Sequence, residues 1–426
     1  DLSYIIDWIE NNIPRLSYRD SNPVIGMIGE SYGGGVQLLG AGVDRRIDAI
    51  IPVTTWNDIK QSLYPNDVAK SGWLTTLVAV GNLMNPGKMM PLLNKAYIDA
   101  RSGELKSSTI SQFAARGAAH ACACNADFQP HADALIIQGF RDVLFPLNEA
   151  VRNSECFEAN GRDVRIVGIQ DGHLLPFVQS SKGILGYNVE EKVHCGDKTL
   201  RTRDMALSWF DEKLKGVANA AQDIPKVCLT HDYKSGSVFT EVPRGGTHHP
   251  IELITVHSGG AGFFEMPMRW IENISSKIAS DRRSSSMINS KKTSVRFRPA
   301  FVPLLEIEGD SFIAGIPSAT IELTSKQKNT TVFVGVGVKK KGSRSVELLS
   351  DQITPVKGVG RHEIDLAAVS SRLQKGDILG FVVHGYNNQF RFSGSSWSTR
   401  TELLGSIELP LQTPTIENQF VVQRYK

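Results

Sequence analysis

The run from Pro23 to Gly35 constrains this chain more than any other segment. An apolar stretch, Val24–Ile28, leads into Gly29-Glu30-Ser31-Tyr32-Gly33-Gly34-Gly35, and a helix-compatible stretch follows at Val36–Leu39. Strand, sharp turn and helix with a serine at the tip is the context in which Gly-x-Ser-x-Gly acts as a nucleophile elbow. The turn strains the serine backbone and lifts its hydroxyl clear of the sheet edge. Gly29 and Gly33 are expected to be glycines because a Cβ on either flank would collide with the neighbouring strand or helix. The N–H of Tyr32, at the helix start, is expected to point where an oxyanion would form. A glycine-rich turn without chemistry has the same composition, so the reading rests on what the rest of the chain supplies.

Residues 1–55 alternate helix, strand, helix, strand, the second strand running Ile47–Val53, as in a parallel sheet covered by helices. From Trp56 to about Asn125 the pattern is helical and broken at Pro65, Gly72, Pro86 and Pro91, which suits a cap over a site. The sheet pattern resumes with Ala134–Gly139, a helix over Pro146–Asn160, a strand over Val164–Ile169 and a helix over Arg203–Lys215. After about Ile224 the chain turns to short alternating strands such as Ala319–Leu323, Thr331–Val336, His362–Leu366 and Ile378–Val383, the pattern of an antiparallel β-sandwich. Two regions are expected: residues 1–223, α/β with a helical cap at about 56–125, and residues 224–426, all-β with a basic polar loop at about 281–298.

A net charge of +3 is small for 426 residues and argues neither for a nucleic-acid partner nor for a membrane surface; no nucleic acid is expected as a partner. The basic loop lacks interleaved aromatics, so it reads as a solvated face. No apolar run reaches the roughly 18 residues of a membrane span. The chain opens directly into an amphipathic stripe, Leu2, Ile5, Ile6, Ile9 and Ile13, with Trp8 beside it, and reads as beginning inside a packed helix. The five cysteines, Cys122, Cys124, Cys156, Cys195 and Cys228, are too sparse for a disulfide-built scaffold. Among Cys156, Cys195 and Cys228 both a disulfide and buried free thiols are open. Cys122 and Cys124 near His120 and His131 match no zinc spacing, so no metal is expected.

A serine hydroxyl needs a general base, and the base an orienting acid. In the α/β-hydrolase fold these follow the serine in the order acid, then histidine, each after a strand. Asp142 lies just past the strand ending at Gly139, and His173 just past the strand ending at Ile169. Asp142 as a helix cap and His173 as a surface-turn histidine are the bland readings; the ordered coincidence of three loops favours the triad Ser31, Asp142, His173. Asp171 is a rival acid, but adjacency to the histidine is the wrong geometry for reaching its ring.

These residues also carry a resemblance. Gly29–Gly35, the strand end Pro52–Ile59 with Trp56-Asn57-Asp58, Gln61–Pro65 followed by Lys70-Ser71-Gly72-Trp73, Leu135–Ala150, and Gly172-His173 are similar to the Xaa-Pro dipeptidyl-peptidase and cocaine-esterase-like hydrolases. Leu373–Asp377 resembles part of that family's C-terminal jelly roll. The resemblance covers nearly the whole chain. It implies an α/β-hydrolase fold with a cap, followed by a jelly-roll sandwich, and an esterase, acylase or peptidase acting on a small ester, amide or peptide without a cofactor. Ser31 would be nucleophile, Asp142 orienting acid and His173 general base. It also implies that strands before the elbow, and a loop there giving a second oxyanion donor, precede residue 1; the hydrolase sheet is thus expected to be N-terminally incomplete, with Val24–Ile28 fitted to burial on both faces. A catalytically inactive hydrolase-fold protein using the sandwich for recognition is the alternative.

Overall fold

The computed structural model describes residues 1–118, 121–122, 128–173, 192–259, 299–393 and 398–413. The basic stretch 281–298 lies outside the described residues, as do His120 and Cys124.

The N-terminal half is built on a six-stranded sheet. Helix α1 (Leu2–Asn12) precedes strand β1 (Ile25–Glu30), helix α2 (Tyr32–Val43) and strand β2 (Ile47–Val53). Among the described residues, the helices α3 (Ile59–Leu63), α4 (Ser71–Met84), α5 (Pro91–Arg101) and α6 (Ser107–Ala114) follow before the next strand. Then come β3 (Asp133–Gly139), α7 (Asn148–Glu158), β4 (Val164–Ile169), a hairpin of β5 (Lys192–Cys195) and β6 (Lys198–Arg201), α8 (Thr202–Lys213), β7 (Val227–Asp232) and β8 (Ser235–Phe239). The sheet order is β8-β7-β4-β3-β2-β1, parallel from β1 to β7, with β8 returning antiparallel.

Alternation along the central strands divides the core in two. Ile47, Ile50, Ala134, Ile136, Val164 and Ile166 face a cluster with Leu38 and Phe157. Ala49, Ile51, Leu135, Ile137, Val167 and Ile169 face the opposite cluster with Met205 and Trp209. Both faces are covered, which is why these strands read as continuous apolar runs. β1 stands at the edge of the described sheet and Ile28 is 59% exposed, as expected of a strand fitted to burial on both faces in a sheet incomplete on that side.

The sheet also extends past residue 223, where the sequence reading places the boundary. β7 and β8 belong to it, so Cys228 lies inside the α/β sheet. The composition shift at Ile224 marks the point where helix-linked strands give way to a strand pair. The β5–β6 hairpin is a further element the sequence reading passed over. It packs by β7, and Cys195 and Cys228 form a disulfide with Cα atoms 5.3 Å apart. Cys122 bonds to Cys156 with Cα atoms 6.2 Å apart, so its thiol is taken. Among the described residues no cluster of histidine, cysteine and carboxylate side chains is arranged to hold a metal, and no helix is long and apolar enough to cross a membrane.

The C-terminal half is all-β. One sheet orders Thr247–Ser258, Thr399–Leu409, Ser318–Ser325 and Gly360–Asp365. The other orders Ala300–Glu306, Ile378–His384, Thr331–Lys339 and Glu347–Leu348, with Thr354–Lys357 also paired to Thr331–Lys339. Their inner faces meet through Val256, Ile321, Leu323, Val334, Val336, Phe381, Leu403 and Ile407. A third, small sheet (Val369–Leu373, Ser311–Gly315, Leu411–Gln412) packs against β7. There His231 of β7 stacks on Phe312, ring centroids 3.9 Å apart, and burial pushes its pKa down to about 3, so it packs as a neutral ring.

The halves are joined by specific bonds as well as apolar contact. Buried Asn148, at the start of α7, donates through Nδ2 to the Leu366 carbonyl at 3.0 Å and accepts at Oδ1 from the Ala368 N–H at 2.8 Å. Asn148→Ala strands both partners at a dry contact. It is expected to lower the free energy of unfolding by about 1–3 kcal/mol, read by urea denaturation; an unchanged midpoint and slope would show that this bond pair adds nothing.

Candidate active site

Ser31 occupies the sharp turn between β1 and α2 with φ 53° and ψ −114°, a strained conformation for a residue with a side chain. Its backbone is held from both sides. Its N–H donates to the Val53 carbonyl at 2.9 Å, and its carbonyl accepts from Gly34, Gly35 and the Thr55 hydroxyl, the last at 2.8 Å. Tyr32 follows as the first residue of α2 and is 66% exposed.

The glycines around this turn have separate reasons. A Cβ on Gly29 would come within 2.8 Å of Gln37 Nε2 and 3.1 Å of the Gly33 carbonyl carbon. At Gly33 a Cβ would meet nothing within 4 Å, which corrects the expectation of a collision there. The crowded positions are one and two residues on: a Cβ on Gly34 would approach Thr55 at 2.8 Å, and one on Gly35 the Trp56 ring at 2.4 Å. These two glycines let α2 lie against the end of β2.

Asp142 and His173 follow β3 and β4, the strands next in order from β2, at the same carboxyl end of the sheet as Ser31. The structure brings them together: His173 Nδ1 lies 2.7 Å from Asp142 Oδ2. The Asp142 side chain is fully buried, and its other oxygen, Oδ1, accepts from the Leu144 and Phe145 N–H groups at 3.0 and 2.7 Å. Gly172 permits this approach. It has φ 143°, and a Cβ there would sit 2.5 Å from Asp142 Cβ. The rival, Asp171, accepts at Oδ1 from the Tyr233 hydroxyl at 2.7 Å. An aromatic chain runs from the elbow to the imidazole: Tyr32 to Trp56, Trp56 to Phe145, and Phe145 edge-on to His173 at 5.3 Å, with Trp73 of the cap edge-on to the same imidazole at 6.3 Å.

Four residues that the sequence reading did not assign tie these loops together. Gln138, fully buried on β3, accepts from the Thr55 N–H at 3.0 Å and donates to the Phe145 carbonyl at 2.6 Å, linking the elbow to the acid loop. Thr55 completes that link through its hydroxyl on Ser31. Gln352 donates to the carbonyls of Phe140 and Asp142. Lys70, buried ahead of α4, donates through Nζ to the carbonyls of Val143 and Leu144 at 2.9 and 3.1 Å. Burial pulls the Lys70 pKa down to about 8, and the charges of Asp142 and Glu149 oppose that shift only in part. The sole signal at sequence level was Lys70-Ser71-Gly72-Trp73 as part of the resemblance; a glutamine within an apolar strand gives none.

Residues 1–174 match the family model described as X-Pro dipeptidyl-peptidase (S15 family). Solved structures with a similar fold include an aminopeptidase from the marine sediment archaeon Thaumarchaeota archaeon, at 14% identity and TM-score 0.62, over 96% of this chain and 79% of that one. A CocE/NonD family hydrolase from Staphylococcus aureus matches at 12% identity and TM-score 0.58, over 97% and 75%. An α-amino acid ester hydrolase matches at 14% identity and TM-score 0.55, over 96% and 79%. No curated protein matches the sequence. The chain has the α/β-hydrolase fold followed by an all-β region, its resemblance to the Xaa-Pro dipeptidyl-peptidase and cocaine-esterase-like hydrolases holds, and it is a serine hydrolase.

Two outcomes are expected from this geometry. Gly33→Ala adds a methyl group to open space in a helix and should leave stability level or raised by up to about 1 kcal/mol, whereas Gly35→Ala must displace the Trp56 ring and should cost about 1–3 kcal/mol. Equal thermal shifts for the two would remove the close-approach argument. For Lys70, the folded pKa lies below the unfolded one, so between pH 8 and 10.5 the unfolded chain binds the extra proton and stability rises with pH. Urea unfolding over pH 7.5–10 should show wild type gaining on Lys70→Met across that window; parallel curves would mean the lysine titrates normally.

Proposed function

We propose that this S15-type serine hydrolase cleaves an ester or amide through an acyl-enzyme, with Ser31 as nucleophile, His173 as general base and Asp142 as orienting acid. The observation that carries the reading is the His173–Asp142 pair at 2.7 Å, set at the same end of the sheet as a serine held at positive φ. A carboxylate only accepts hydrogen bonds, so Asp142 fixes the imidazole proton on Nδ1. Nε2 is then the basic nitrogen, and it takes the Ser31 proton as Oγ attacks the substrate carbonyl. With its Oδ1 held by two backbone N–H groups, the carboxylate cannot swing away as the imidazolium forms.

In this reading the Tyr32 N–H stabilises the negative charge that develops on the carbonyl oxygen, and its place in the first turn of α2 supports that role. Collapse of the tetrahedral species expels the alcohol or amine, which takes a proton from His173. Water then attacks the acyl-Ser31 ester, giving its proton to His173; collapse breaks the bond to Ser31 Oγ, which takes that proton back from His173, and the acid product leaves. The substrate is a small ester, amide or peptide; hydrolysis of p-nitrophenyl esters against Xaa-Pro anilides separates esterase from peptidase use of the same serine.

The test is Ser31→Ala. It should lower turnover by about 10⁶-fold, as removal of a triad serine does, and abolish covalent labelling by a fluorophosphonate. Undiminished labelling of the variant would place the nucleophile elsewhere.

A further inference from the structure

The acid Asp142 sits on a loop that follows β3, and the groups holding that loop come from outside the α/β sheet as well as from it. On one side is the turn Leu349–Asp351 of the all-β region, with Gln352 directly after it. Ser350 and Asp351 both have positive φ, 53° and 56°, and the Ser350 hydroxyl anchors the turn by accepting from the Ser370 N–H at 3.1 Å. The strained turn presents two side chains to the acid loop. Gln352, 4% exposed, donates through the single nitrogen Nε2 to the carbonyls of Phe140 at 2.6 Å and Asp142 at 3.0 Å. Asp351 accepts from Arg141, the residue between them, through Nε at 3.0 Å and through Nη2.

We infer that Gln352, supported by the Asp351–Arg141 ion pair, is a positioning residue for the triad acid, so that the all-β region sets the catalytic geometry of the hydrolase site. The inference rests on the triad reading above. Gln352 spans residues 140–142, the segment whose backbone fixes where the Asp142 side chain starts. Without its donors, two buried carbonyls lose their partners and the loop relaxes toward other donors. The Asp142 carboxylate then loses its aim at His173 Nδ1. The Gln352 amide donates to backbone carbonyls on either side of Arg141, so it acts through the acid loop that carries Asp142.

Gln352→Met tests this, because it keeps the volume and removes the donors. The readout is the rate of fluorophosphonate labelling resolved into kinact and KI, which needs the serine activated but no knowledge of the natural substrate. Labelling is expected to slow by about 10–10²-fold in kinact, the scale of an ångström-sized misplacement, with KI within about twofold. Asn148→Ala, which weakens the same contact between halves without touching the acid loop, should leave kinact at the wild-type value. In an Asp142→Asn background the Gln352→Met effect should vanish, since the group it positions is already disabled.

Wild-type kinact in Gln352→Met overturns the proposal, as does an equal loss in the Asp142→Asn background or an equal loss in Asn148→Ala. Asp142→Asn alone separates this from the reading beneath it: undiminished labelling there refutes the triad, whereas a large loss there beside a normal Gln352→Met refutes only the positioning role.

Discussion

The structure of the site depends on how a buried loop satisfies its own backbone. Residues 140–145 belong to no helix or strand, yet Phe140, Asp142, Val143, Leu144 and Phe145 are all buried. Their carbonyls cannot face water, so each needs a donor from elsewhere. Gln352 serves Phe140 and Asp142, Lys70 serves Val143 and Leu144, and Gln138 serves Phe145. The donors come from the all-β region, the cap and the central sheet. The N–H groups of Leu144 and Phe145 turn inward to the Asp142 carboxylate, and that of Val143 to the His173 carbonyl. The carboxylate is thus both the product of the loop's shape and one of its fastenings.

Much of the frame was legible in the sequence because it follows from local patterns. The elbow announced itself through an apolar run, a small-residue turn and a helix. The order of serine, aspartate and histidine, each just beyond an apolar strand, reflects a rule of parallel sheets: loops at the carboxyl ends of adjacent strands meet. Cap and sandwich differ from the sheet in periodicity, so their existence could be read even where their limits could not. The limit at residue 223 missed because β7 is joined to β4 through a hairpin and helix, and β8 then returns as a neighbour, a pattern that sequence alone assigns to the following all-β region.

What the sequence hid is long-range and polar. Gln138 and Gln352 have no partner near them in sequence; Gln352 reaches residues more than 200 positions away. Gly33 was expected to be crowded on the strength of its motif position, but crowding depends on what packs across α2, and Thr55 and Trp56 lie over Gly34 and Gly35 instead. The disulfide Cys122–Cys156 joins a residue near the end of the cap to α7, a pairing that spacing could not choose among five cysteines.

On the proposed triad, magnitudes make such polar fastenings matter more to rate than to folding. An unpartnered buried carbonyl costs about 1–3 kcal/mol, a fraction of the roughly 5–15 kcal/mol that separates folded from unfolded states. A loss of that size leaves a protein of ordinary stability folded. The same few kcal/mol, released locally, is ample to let a six-residue loop settle differently, and an acid displaced by an ångström no longer holds the imidazole in line. On the proposed triad, catalytic precision rests on these local fastenings, where three parts of the chain converge on one short segment. The strained turn at Ser350 and Asp351 fits this logic: left-handed backbone at two side-chain-bearing residues is tolerated because the turn is anchored at both ends, by Ser350 to Ser370 and by Asp351 and Gln352 to the acid loop.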